Sequence, residues 1–190
     1  MPPRTPDPLA EKMADLVAEL AARGVVVQSK ADVWHQRWIH QLLRLVTFGG
    51  QTAYLDRFVT TIGHHIYVTP DWESRSLADR WVTLRHELVH VDQFARWGLV
   101  PMAVAYLLLP LPMGLSWCRM RLEREAYAES VRATFEVGGL EAASALRGHV
   151  VAQFVSGSYG WMWPFRRSIE RWFDGLIAGL TAQLGHTDSP

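Results

Sequence analysis

Residues 83–97 read TLRHELVHVDQFARW, and the reading of His86, Glu87 and His90 within them decides both the local fold and what the chain can bind. A helix advances 100° per residue, so His86 and His90 lie nearly above one another and both imidazoles can reach one ion, with Glu87 beside them. In a chain of 190 residues with eight histidines, this three-residue spacing arises by chance in about two of a hundred sequences. A surface or core histidine pair is the plain alternative. The stretch predicts a helix carrying two metal ligands, and a third must come from elsewhere in the chain.

Working outward, Ser76 with Asp79 three residues on has the spacing of an N-cap, and opens a helix that runs through HELVH to about Trp97, where Gly98 and Pro101 stop it. Before it, QTAYLDRFVTTIGHHIYVTPDW turns β-rich and predicts a hairpin or two short strands ended by Pro70. Alternation puts Ile62, His64, Ile66 and Val68 on one face and His65, Tyr67 and Thr69 on the other. His64 and His65 therefore point apart and cannot share an ion. An edge strand at Thr61–Thr69 is placed to pair with an extended peptide backbone; an ordinary sheet strand is the equal alternative.

Apolar positions at Leu9, Met13, Leu16, Val17 and Leu20 predict an amphipathic helix over 8–23 that Gly24 ends, and a second helix is expected from Asp32 to about Thr47. His35 and His40 on the latter are five apart, which suits surface or packing roles better than one metal. Downstream, WCRMRLEREAYAESVRATFEV (117–137) predicts a strong helix ended by Gly138-Gly139, followed by a helix over Glu141–Val155. The turn GSYGWMWP (157–164) leads to a last helix over Phe165–Leu184, with Ile169, Trp172, Phe173, Leu176, Ile177 and Leu180 inward. The fold class is α+β, predominantly α. It comprises N-terminal helices (1–48), a strand region with the HELVH helix and the 117–137 helix (52–137), and C-terminal helices (138–190), read as one domain.

Lys plus Arg equals Asp plus Glu at 19 each, so no electrostatic footprint for nucleic acid is present. The apolar share of 49% with nine tryptophans supports a folded core. Cys118 is the lone cysteine, which leaves His and carboxylate side chains to hold any metal. The N-terminal MPPRTPDPLAEKMADL has no apolar signal core, and a cytoplasmic setting is expected. Residues 98–117, GLVPMAVAYLLLPLPMGLSW, carry no charge, but the Pro-free run from Met102 to Leu109 covers, at ~1.5 Å per residue, less than half of a ~30 Å hydrocarbon core. Burial, peripheral membrane contact and self-association are the readings open for it.

HELVH at 86–90 followed by EREAYA at 123–128 resembles the gluzincin clan of zinc metallopeptidases. The resemblance implies a zincin-like small antiparallel β element packed on the active-site helix. It also implies zinc held by His86, His90 and Glu123, the last standing first in the clan's E-x-x-A pattern. Tyr127 stands where the clan carries an aspartate that orients the first histidine through its second ring nitrogen. Independently of the resemblance, setting Glu123 at zero on a helical wheel brings Met120, Ala126, Tyr127 and Val131 within about 80° of it, an inward face. Glu125 falls about 160° away with Glu129, Arg132 and Glu136, on a solvated stripe.

Three protein ligands leave zinc a fourth position for water, whose pKa it lowers toward ~7, and Glu87 is placed to take the proton. Peptide-bond hydrolysis is the activity this implies, with a peptide or protein as substrate and Glu87 as general base. Tyr159, Tyr127 and His149 are the candidates for stabilising the developing oxyanion. The aromatic turn holding Tyr159, Trp161, Met162 and Trp163 reads more readily as packing between helices. The rival reading is a catalytically weak or inactive zinc-binding protein that keeps a peptidase-like fold and works as a binding or assembly module.

Overall fold

The computed structural model describes residues 7–30, 59–104, 117–156 and 162–187. The helix expected from Asp32 to Thr47, with His35 and His40, lies outside them, as does Tyr159. The chain divides by its contacts into two compact units, residues 1–91 and 92–190. Among the described residues it is mostly helical with one small sheet, as the α+β, predominantly α reading requires.

In the first unit α1 spans Pro8–Ala22. Asp7 caps it by accepting the Leu9 N–H at 3.0 Å, and Pro8 at the first helical position gives up no hydrogen bond. Leu16 and Leu20 are the residues it buries, and Gly24, at φ 67°, turns the chain out of the helix. Strand β1 (Val26–Ser29) follows, which periodicity in the sequence did not reveal. β2 (Thr60–Ile62) and β3 (His65–Val68) form the expected hairpin across Gly63-His64, where Gly63 takes φ 60°.

The sheet order is β1-β3-β2, with β1 parallel and β2 antiparallel to β3. The expected antiparallel element is therefore a mixed sheet. β3 carries a ladder on both sides and cannot take up a further strand, so the edge role expected of Thr61–Thr69 falls away for its β3 half. The hairpin also changes the facing: Ile62 pairs with His65 and Thr61 with Ile66. Ile62 thus shares a face with His65 rather than with Ile66, because the tight turn restarts the alternation that an unbroken strand would have continued.

Past β3, the Thr69 hydroxyl donates to Asp71 and Arg75 reaches both residues, which holds the Asp71 carboxyl below the usual carboxylate range. Helix α2 then spans Leu77–Trp97. Its start is the expected cap, with the Asp79 N–H donating to Ser76 Oγ at 3.1 Å. Gly98 at φ 82° ends it.

In the second unit, α3 spans Leu99–Ala103, α4 Trp117–Ala145, α5 Arg147–Val155 and α6 Arg166–Thr187. The glycine pair interrupts α4 as expected: Gly139 sits at φ 75°, ψ −173° inside it. The single helix expected over 141–155 is divided at Leu146, whose N–H donates to the Ala143 carbonyl three residues back. The core gathers Met120, Tyr127 and Val131 of α4, Val150, Val151 and Phe154 of α5, and Ile169, Phe173 and Leu180 of α6. Phe154 is its centre, with ring centroids 5.5 Å from Tyr127 and 5.8 Å from Trp172. Met162 of the aromatic turn is buried in the same core, and Arg147 grips Asp174 through two bonds of 2.7 and 3.0 Å across α5 and α6.

Of the apolar stretch, Leu99 and Val100 are exposed and Met102 is buried, while residues 105–116 lie outside the described ones. No helix among the described residues is long and apolar enough to cross a membrane.

Candidate metal centre

α2 stacks His86 and His90 one turn apart, with ring centroids 5.1 Å apart and planes at 73°. The edge-on arrangement keeps the two rings from covering each other, so both can present a nitrogen in one direction. His90 is buried at 7% exposure, Glu87 at 6%, and His86 is half-buried. Leu84, Leu88 and Val91 are the apolar residues that this part of the helix buries.

On α4, Glu123 is 2% exposed, between buried Leu122 and Ala126. Burying an ionised carboxylate is costly unless cations or donors compensate it. The wheel reading holds residue by residue: Met120, Ala126, Tyr127 and Val131 are buried with Glu123, while Glu125, Arg132 and Glu136 are exposed and Glu129 half-buried.

One ligand-type atom each from His86, His90 and Glu123 lie within 4.8 Å of one another, a candidate metal-binding triad. Two ring nitrogens and a carboxylate oxygen form a donor set suited to a divalent transition metal. The triad is the one such group found among the described residues.

Two residues near these side chains carry no signal in the sequence. Thr61 of β2 donates its hydroxyl to Glu87 Oε2 at 2.7 Å, with both residues buried. Gln93, fully buried three residues past His90, donates from Nε2 to the Leu122 carbonyl oxygen and to Glu125 Oε2, each at 3.0 Å. Gln93 anchors the last turn of α2 to the backbone just before Glu123.

The other candidates have the following surroundings. Tyr127 is 9% exposed with its ring in the Phe154 core. His149 is exposed on α5, its Nε2 3.4 Å from Gln153 Nε2. His64 is exposed in the hairpin turn, and exposed His65 pairs through Nδ1 with Gln28 at 3.3 Å. Asp92 is exposed on α2.

Compared with protein-family models, with curated proteins and with solved structures, the chain matches none.

Proposed function

We propose that the protein is a zinc-dependent peptidase of gluzincin type, hydrolysing peptide bonds with His86, His90 and Glu123 as metal ligands and Glu87 as general base. The observation that carries this reading is the gathering of the two helical imidazoles and the buried Glu123 carboxylate within 4.8 Å, with Glu87 next to the first histidine in sequence. A purely structural site has no need of a buried carboxylate beside it, and the two-nitrogen, one-oxygen set is the one expected of catalytic zinc.

When bound, the zinc supplies a Lewis acid that polarises the scissile carbonyl and acidifies water. Glu87 takes the proton from the attacking water as its oxygen bonds to the carbonyl carbon. It then hands that proton to the departing amide nitrogen, so that water is added across the C–N bond and Glu87 returns to its starting form. Burial of Glu87 keeps bulk water from competing for that proton.

A second reading rests on a different observation: Trp97, Leu99, Val100 and Trp117 are large, apolar and exposed. In that reading the zinc site is inert and these side chains serve partner binding.

Elemental analysis and casein turnover separate the two. The full chain is expected to carry about one zinc, and His86→Ala or His90→Ala to lose most of it. Glu87→Gln is expected to keep the zinc while cleaving casein at least ~100-fold more slowly than wild type. Equal turnover by wild type and Glu87→Gln, with zinc bound in both, removes the peptidase reading.

A further inference from the structure

Thr61 is the middle residue of the three-residue strand β2, and strand register decides where its hydroxyl goes. It stands opposite Ile66, so the two side chains leave the sheet on one face, where Ile66 is fully buried and Thr61 9% exposed. Thr60 and Ile62 pair with Tyr67 and His65 and leave by the other face. Thr61 is thus the residue of β2 that can reach the covered side. There its hydroxyl meets Glu87 Oε2 at 2.7 Å.

A glutamate carboxylate turns easily about its last bond, which has broad, roughly two-fold preferences. A donor fixed on a strand restricts that freedom, because it ties Oε2 to one direction. Threonine suits the task twice over: β-branching fits it to the strand and holds χ1, while the hydroxyl supplies the donor. Valine would serve the strand equally well and supply no donor.

We propose that Thr61 is a positioning residue for the general base, holding the Glu87 carboxylate in the one orientation from which it can exchange a proton with water at the metal centre. This rests on the peptidase reading above. The competing account is that the hydroxyl merely satisfies a buried carboxylate and matters to stability alone.

The two accounts part on measurements with the full, zinc-loaded chain. With fluorescein-labelled casein, Thr61→Val is expected to lower kcat by ~10-fold or more while KM stays within ~2-fold, and Thr61→Ser to recover kcat to within ~3-fold of wild type. Zinc content stays at the wild-type level in all three. With cobalt(II) as a probe in place of zinc, the visible band is expected to move in the same direction in Thr61→Val and Glu87→Gln, and to coincide with wild type in Thr61→Ser. Should Thr61→Val fail to fold, Thr61→Ala gives the same comparison without a bulky apolar group. A wild-type kcat and cobalt spectrum in the variant lacking the hydroxyl overturns the inference, and so does loss of metal in it. A wild type no faster than Glu87→Gln removes the peptidase reading first and this inference with it.

Discussion

The side-chain amide of Gln93, three residues after His90 on α2, donates at 3.0 Å to the carbonyl oxygen of Leu122, the residue before Glu123 on α4. The same nitrogen reaches Glu125 Oε2 at 3.0 Å, so a fully buried side chain bridges to both the backbone and the outer carboxylate of the ligand-bearing helix. A backbone anchor of this kind fixes the height and rotation of α4, which a side chain pairing with another mobile side chain could not do.

Gln93→Leu keeps the volume and removes both bonds. It is expected to cost about 1–3 kcal/mol of stability. It is also expected to weaken zinc binding by ~10-fold, the scale on which groups supporting metal ligands act. Thermal unfolding of the apo chain and zinc titration against a competing chelator measure the two. Unchanged zinc affinity in Gln93→Leu would assign the placing of Glu123 to packing alone.

What could be read from the sequence is what repeats. Cap and stop signals picked out α2, and the period of 3.6 picked out α4 and turned Glu123 inward and Glu125 outward before any neighbour was known. Its burial at 2% beside exposed Glu125 follows that wheel. β1 escaped because Val26–Ser29 is four residues long and half exposed, and finds its parallel partner β3 far along the chain. Ile62 was turned the wrong way because a two-residue turn is not marked in an alternating pattern until its register is known. Thr61 and Gln93 were silent for a third reason. Their roles are hydrogen bonds to residues 26, 29 and 32 positions away, and no local pattern encodes a distant partner.

The break in α4 gives a prediction in which two glycines of similar surroundings respond oppositely. Gly139 holds φ 75°, a region where a side chain is strained, although an added Cβ would meet nothing within 4 Å. Gly175 lies inside α6 without positive φ, and its added Cβ also meets open space. Gly139→Ala is therefore expected to destabilise by about 1–3 kcal/mol through backbone strain. Gly175→Ala is expected to stabilise by about 0.4–1 kcal/mol by lowering the entropy of the unfolded chain. Urea unfolding of both variants tests the pair. A neutral Gly139→Ala would mean that the break at 139 is not held in the folded chain.

The last prediction concerns which carboxylate of α4 serves the metal, since Glu123 and Glu125 are close in sequence and opposite in surroundings. Glu125 already has an account of its charge: it is exposed, accepts from Gln93 and stands 3.9 Å from Arg96, a separation at which an exposed pair contributes little. Glu123 is 2% exposed and its carboxylate converges with His86 and His90. A carboxylate ligand adds charge as well as a donor atom, so Glu123→Gln, which keeps the shape and one acceptor, is expected to bind zinc far less tightly than wild type, and Glu123→Ala less tightly still. Glu125→Ala removes only a surface acceptor. It is expected to keep zinc affinity within ~3-fold of wild type and to cost about 1 kcal/mol of stability through the lost Gln93 bond. Zinc titration against a chelator, with casein turnover beside it, reads all three variants. Zinc retained in Glu123→Ala and lost in Glu125→Ala would move the third ligand half a turn around α4 and dismantle the triad.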